Sequence, residues 1–166
     1  MLDNLEGYPQ AIKFIKKNTD WGKDALLLSD IITCEEKYRV AIENYLEPFL
    51  NYYILETEEQ AQEAVNLLSD AAKGRGNFFI LDHLSHYASR PYRQQFEHAI
   101  PAINIMEYDE KYRALVHFLL EDVYIITQNQ ESIPKDQTAI FITQNGKWAR
   151  RPYSMTGGSV GLFEGK

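Results

Sequence analysis

The sequence predicts a mixed α/β (α+β) fold built as two related lobes, each a small sheet flanked by helices. Two observations carry this. A five-residue segment occurs twice, as Glu35-Glu36-Lys37-Tyr38-Arg39 and as Asp109-Glu110-Lys111-Tyr112-Arg113, which marks an internal duplication. Each copy leads into an apolar pattern of helical period and then into a strand-like run, Tyr53-Ile54-Leu55 or Tyr124-Ile125-Ile126. The chain therefore reads as one domain over 1–166, with lobe I at about 8–82, a connection at about 83–100 and lobe II at about 101–166.

Met1 to Gly7 is a lead-in, and Pro9 suits the first turn of a helix running to about Asn18. In that helix Ile12 and Ile15 face inward, and Lys13, Lys16 and Lys17 face outward. Trp21-Gly22 breaks it. Ala25 to Ile32 is nearly continuous apolar sequence, expected as a buried strand or two short ones. Thr33 and Glu36 have the spacing of a capping box, in which hydroxyl and carboxylate each satisfy the other's free backbone amide. The helix that follows places Tyr38, Ala41, Ile42, Tyr45 and Leu46 on one face. Tyr112, Leu115, Val116, Leu119 and Leu120 repeat the same spacings in the second copy.

Pro48 closes the first of these helices, and Tyr52 to Glu56 reads as a strand. Thr57 and Gln60 form a second capping box, opening a helix with Ala61, Ala64, Val65, Leu68, Ala71 and Ala72 on one face and Gly74 as its left-handed stop. Asn77 to Leu81 is a strand by its aromatic and β-branched content, which completes a parallel strand–helix–strand crossover. Asp82 to Ala99 is polar and irregular. A strand at Ile103–Met106, a helix at Asp109–Glu121 and a strand at Val123–Thr127 follow, without a second crossover helix. Ala139 to Thr143 then turns at Asn145-Gly146 and returns through Lys147 to Arg151, a hairpin signal.

Composition excludes several function classes. The net charge of −7 confines any nucleic-acid contact to a local patch. A lone Cys34 excludes an internal disulfide framework and points to a reducing compartment. No signal peptide and no membrane span are indicated. The glycine-rich tail is not a phosphate loop: three residues separate Gly161 from Gly165-Lys166 where four are needed, and no Ser or Thr follows the lysine. Gly157, Gly158 and Gly161 instead suit a close approach of two backbones. His83 and His86 form an H-x-x-H pair without a further clustered ligand, so no metal site is assigned. Cys34, at a helix start, has no His beside it in sequence. No cofactor and no catalytic residue is expected. Lys147, Arg150 and Arg151, with Trp148 and Tyr153, form either a solvated hairpin face or a patch able to contact phosphates and stack on bases. Lys13, Lys16 and Lys17 are a second such patch with the same two readings.

The chain resembles the hinge domain of SMC (structural maintenance of chromosomes) proteins of the bacterial chromosome-partition type. The residues carrying the resemblance are Leu28-Ser29-Asp30-Ile31-Ile32, Lys37 to Glu43, Glu56 to Ala61, Lys73 to Phe79 and Thr156-Gly157-Gly158-Ser159. It covers nearly the whole chain, with Asp82 to Ala99 matching only loosely. The resemblance implies a homodimerisation module that joins two coiled-coil arms, the far ends of which carry ATPase heads. It implies that Thr156, Gly157, Gly158 and Gly161 lie at the dimer interface. It also implies weak DNA contact through basic residues, a cytoplasmic, nucleoid-associated location, and no enzymatic activity of the isolated domain. A stand-alone nucleic-acid-binding module using Lys147 to Arg151 is the alternative.

Overall fold

The computed structural model describes residues 8–91, 93–127, 133–135 and 138–158. The mixed helix-and-sheet class holds, and the chain divides into two compact units: Met1–Ile32 with Pro48–Tyr87, and Thr33–Glu47 with Ala88–Lys166. The expected boundaries followed the repeat, whereas the contacts assign Thr33–Glu47 and the chain from Ala88 onward to the second unit.

In the first unit, helix α1 (Gln10–Asn18) starts after Pro9 and buries Ala11, Ile12 and Ile15. Thr19 stops it, its Oγ1 donating to the Ile15 carbonyl and accepting from the Gly22 N–H, both at 2.9 Å. Leu26–Leu27 forms strand β1, but Leu28–Ile31 is a helical turn, α2, and not the expected strand. The cause is local: the Asp30 carboxylate accepts the Leu27 N–H at 3.0 Å and caps the turn. Strand β3 (Tyr53–Leu55), helix α4 (Glu58–Ala71) and strand β4 (Phe78–Ile80) make the expected parallel crossover, in a sheet of order β1-β3-β4. The Thr57–Gln60 capping box forms, with Gln60 N–H donating to Thr57 Oγ1 at 3.1 Å. Ala72, not Gly74, takes the first left-handed position (φ 53), and the Lys73 N–H reaches back to the Leu68 carbonyl at 3.1 Å. Gly74 (φ 92) follows. The core of the unit gathers Ile12, Ile15, Leu27, Tyr53, Leu55, Ala64 and Leu68.

In the second unit Thr33–Cys34 is strand β2, so Thr33 does not cap a helix. It pairs in the ladder opposite Glu107, a partner seventy-odd positions away that no local motif reveals. Helix α3 (Glu36–Leu46) starts after Glu35 and buries Tyr38, Ala41, Ile42 and Leu46, as the spacing requires. Ala99–Pro101 forms strand β5 inside the expected connection, and Met106–Glu107 forms β6, paired with β2. The expected strand at Ile103–Met106 is largely a tight helical turn, Ala102–Ile105. In the second copy Asp109 Oδ1 accepts from Lys111 N–H at 3.0 Å, and helix α5 (Arg113–Leu120) buries Leu115, Val116 and Leu120 together with His117. Strands β7 (Val123–Ile126) and β8 (Ile140–Thr143) run parallel, the same relationship as β3 and β4. With β9 (Ala149–Arg151) and β10 (Ser154–Thr156) they complete a five-stranded sheet of order β10-β9-β8-β7-β5.

The segment after Tyr87 covers one face of this sheet. Phe96 meets Tyr124 and Phe141 edge-on, with ring centroids 4.9 and 5.0 Å away, and Tyr124 Oη donates to the Gln94 carbonyl at 2.7 Å. Buried Glu121 holds the start of the segment: its carboxylate accepts from the Arg90 backbone N–H at 3.1 Å and from Arg90 Nε at 3.3 Å, while His117 Nδ1 lies 3.4 Å from it. The Arg90 guanidinium also pairs with Asp122. A stretch expected as a mere connection thus supplies the cover of a core.

Candidate functional site

The site begins at the Asn145-Gly146 turn. Gly146 is left-handed (φ 75) and donates to the Thr143 carbonyl at 2.9 Å, while Asn145 Oδ1 accepts from Lys147 N–H at 3.0 Å. The turn lies against α3: a β-carbon on Gly146 would stand 2.5 Å from Asn44 Nδ2 and 2.9 Å from Val40 Cγ1. Asn44 Nδ2 donates to the Gly146 carbonyl at 3.3 Å. Glycine is needed here twice, for the backbone angle and for the close approach.

From this anchored turn β9 leads through Pro152-Tyr153 into β10, a strand not read from the sequence. Among the described residues strand β10 pairs with β9 alone (Met155 opposite Arg150, Thr156 opposite Ala149) and is the outermost strand of its sheet. An outer strand presents backbone N–H and C=O groups to any further strand. Met155 on it is 58% exposed, and Tyr153 in the turn just before it 97%.

Of the expected interface residues, Thr156 ends β10 and Gly157 and Gly158 follow it, all three exposed. A β-carbon on Gly157 would stand 2.8 Å from Trp148 Cβ. Gly158 has φ +119, and a β-carbon there would meet no atom within 4 Å. Gly161 lies outside the described residues.

The basic residues divide sharply. Arg150 is half-buried, with its guanidinium 5.1 Å over the Phe141 ring and Nη2 donating to the Pro134 carbonyl at 3.2 Å. It is held in the structure of its own unit. Arg151, one residue on, points to the opposite face of the sheet and stacks 5.1 Å from the centroid of Tyr45 on α3. Burial pushes the Tyr45 hydroxyl above its ordinary value, and the Arg151 cation opposes that. Lys147 is exposed. On α1, Lys17 is exposed and Lys13 half-buried, but Lys16 departs from the outward expectation. Its Nζ donates to the Gly22 and Ala25 carbonyls at 3.2 and 2.7 Å, and it lies 5.4 Å from the centroid of the Tyr53 ring.

His83 Nε2 lies 3.1 Å from Glu58 Oε1, and His86 is exposed. Among the described residues no three His, Cys, Asp or Glu side chains are grouped to hold a metal ion. Cys34 is half-buried in β2, and burial raises its thiol above the ordinary value. Among the described residues no helix is long and apolar enough to cross a membrane.

Sequence reasoning missed Asn44, Tyr45 and Met155. The signal for Met155 was present: Ser154-Met155-Thr156 follows a Pro152-Tyr153 turn directly after a strand.

Comparison with known proteins agrees with this architecture. Residues 23–131 match the family model described as the SMC proteins Flexible Hinge Domain. The chain is 32% identical over 164 residues to the chromosome partition protein Smc of Chlorobaculum tepidum, a match covering 96% of this chain and 14% of that protein. The chain thus spans about one seventh of that relative's length. Among solved structures, the Pyrococcus furiosus SMC protein hinge domain superposes with a TM-score of 0.73 at 25% identity, covering 94% of this chain and 85% of that one. A crystal structure of an asymmetric dimer of the Geobacillus stearothermophilus SMC hinge domain gives 0.76 at 22% identity, covering 95% and 69%. On its family match and its fold, the chain belongs to the SMC hinge domain family.

Proposed function

We propose that the chain is a pairing module, in which two copies associate through sheet edges and join the coiled-coil arms of a chromosome-partition protein. The observation carrying this reading is strand β10: the outermost strand of a five-stranded sheet, with Met155 and Tyr153 exposed and Gly157-Gly158 immediately beyond. A bare edge of this kind is an association hazard unless a partner strand covers it, and a two-fold arrangement covers both copies at once. The first unit offers β4, an outer strand of its own sheet, as the complementary edge. The family match and a solved relative crystallised as a dimer support the same reading. In this account Gly157, Gly158 and Gly161 leave room for the partner backbone, the arms and ATPase head belong to the remainder of the longer protein, and the module works in the cytoplasm at the nucleoid. Amide hydrogen exchange of residues 153–158 tests the pairing. Protection should rise with protein concentration; exchange independent of concentration counts against the proposal.

A second reading is contact with DNA. It is favoured by Lys147 and Arg151, neither of which forms an ion pair among the described residues, with Lys13 and Lys17 as a further patch on α1. Arg150 and Lys16 play no part in it, being committed to carbonyls of their own units. Lys147→Glu with Arg151→Glu should weaken oligonucleotide binding and flatten its salt dependence. Unchanged binding overturns this reading.

A further inference from the structure

A cleft opens in the second unit between α3 and the β8–β9 turn, and its chemistry differs from that of the rest of the chain. None of the ten residues lining it is acidic, although the sequence carries 24 Asp and Glu residues and a net charge of −7. Two of the lining residues are the cations Lys147 and Arg151. Apart from its stacking on Tyr45, the Arg151 guanidinium makes no hydrogen bond or ion pair with any described residue. A guanidinium held by its flat face keeps its N–H donors in the plane of the group, pointing outward, in the fork that matches a phosphate or carboxylate. Lys147 uses only its backbone N–H, which donates to Asn145 Oδ1, and leaves its ammonium to the cleft and solvent.

The remaining lining groups complete a site. The hydroxyls of Tyr45 and Thr156 add neutral donors on the α3 side and the β10 side. Ile142 and Ala149 make an apolar floor, while the Trp148 side chain packs on the other face of the sheet, against the cluster of Tyr124 and Phe141. Asn44 ties the turn to α3 through the Gly146 carbonyl, so the cleft exists before any ligand arrives. An apolar floor with a few convergent polar groups is the usual composition of a small-ligand site. Paired cations without a carboxylate fix the sign of the ligand.

We propose that this cleft binds a phosphate group, the phosphate lying between Arg151 and Lys147. The two sources of such a group are a free nucleotide and the backbone of a nucleic acid. The inference shares Lys147 and Arg151 with the DNA reading but does not depend on chain pairing. Because Thr156 ends β10, an occupant also touches the pairing edge.

Amide chemical shifts of the whole chain, followed while titrating inorganic phosphate, adenosine monophosphate and a short single-stranded oligonucleotide in parallel, test the proposal. Shifts should concentrate at Gly146, Ala149 and Thr156 and saturate with the mononucleotide. Arg151→Gln should weaken that binding about tenfold to a hundredfold, the weight of a charge-assisted contact. Lys147→Gln, at an exposed side chain that the fold does not use, should weaken it in the same direction, and Lys23→Gln, at an exposed lysine of the first unit, should leave it unchanged. Saturation by phosphate and mononucleotide with no response to the oligonucleotide supports the cleft and identifies a free phosphate ester. An oligonucleotide that binds while phosphate and mononucleotide do not overturns the cleft and leaves the DNA reading standing. Absence of any localised shift overturns the cleft as well.

Discussion

A β-carbon placed on Gly157 would stand 2.8 Å from the β-carbon of Trp148, closer than such atoms approach in proteins. The obstacle is the root of the Trp148 side chain and not its mobile end, so relief requires the backbone after β10 to move. Gly157→Val should therefore lift the end of β10 and cost about 1–3 kcal/mol, the range for forced overpacking. The loss should appear as a lowered midpoint in urea, with the far-ultraviolet circular dichroism of the folded protein retained.

Lys16 and Lys17 are neighbours on α1 with opposite roles. Lys16 donates to two backbone carbonyls and sits beside the Tyr53 ring, whereas Lys17 is exposed. Lys16→Ala should cost about 1.5–3 kcal/mol, the usual weight of hydrogen bonding to a charged group. Lys17→Ala should stay within about 0.5 kcal/mol, as surface changes do. Chemical denaturation of the two variants side by side checks the contrast.

The α4 helix ends on Ala72 in the left-handed region, with φ 53. A β-carbon in that region costs roughly 1–2 kcal/mol, which glycine avoids. Ala72→Gly should raise stability by up to about 1 kcal/mol, measured as a higher unfolding midpoint, after the added chain entropy of glycine is set against the relief.

Stability should also fall in alkali. Burial holds the Tyr53 hydroxyl well above the ordinary phenol value of 10.0, and it donates to the Gly22 carbonyl. Above about pH 10 the unfolded chain releases this proton while the folded chain keeps it, so the unfolded state binds fewer protons and gains stability. The contribution is fully present below that pH and is lost progressively above it. Urea unfolding between pH 8 and 11 should show a falling midpoint at the alkaline end. Tyr53→Phe should flatten that slope while lowering stability at neutral pH through the lost hydrogen bond.

Features set by neighbouring residues were legible in the sequence. The Thr57–Gln60 box, the apolar face of α3 and the Asn145-Gly146 turn each follow from a few adjacent side chains, and each formed where the spacing placed it. What was not legible depends on distant partners. Thr33 has the local signature of a cap, yet the ladder with Glu107 claims it, and α3, which follows directly, falls in the second unit. At the candidate site the sequence grouped Lys147, Arg150 and Arg151 as one patch. Strand alternation sends the two arginines to opposite faces, Arg150 onto Phe141 and Arg151 onto Tyr45. The glycines were found as a group, but only the fold gives Gly157 a contact to avoid and Gly158 a left-handed angle.

The central claim is that two copies pair at the β10 edge, and sedimentation equilibrium at micromolar concentration tests it most directly. The account predicts a mass of about twice the chain's 19.3 kDa, falling to that of a single chain in the Gly157→Val, Gly158→Val variant while its circular dichroism is retained. A wild-type chain that sediments as a monomer across this range, or a variant that pairs as tightly as wild type, contradicts it.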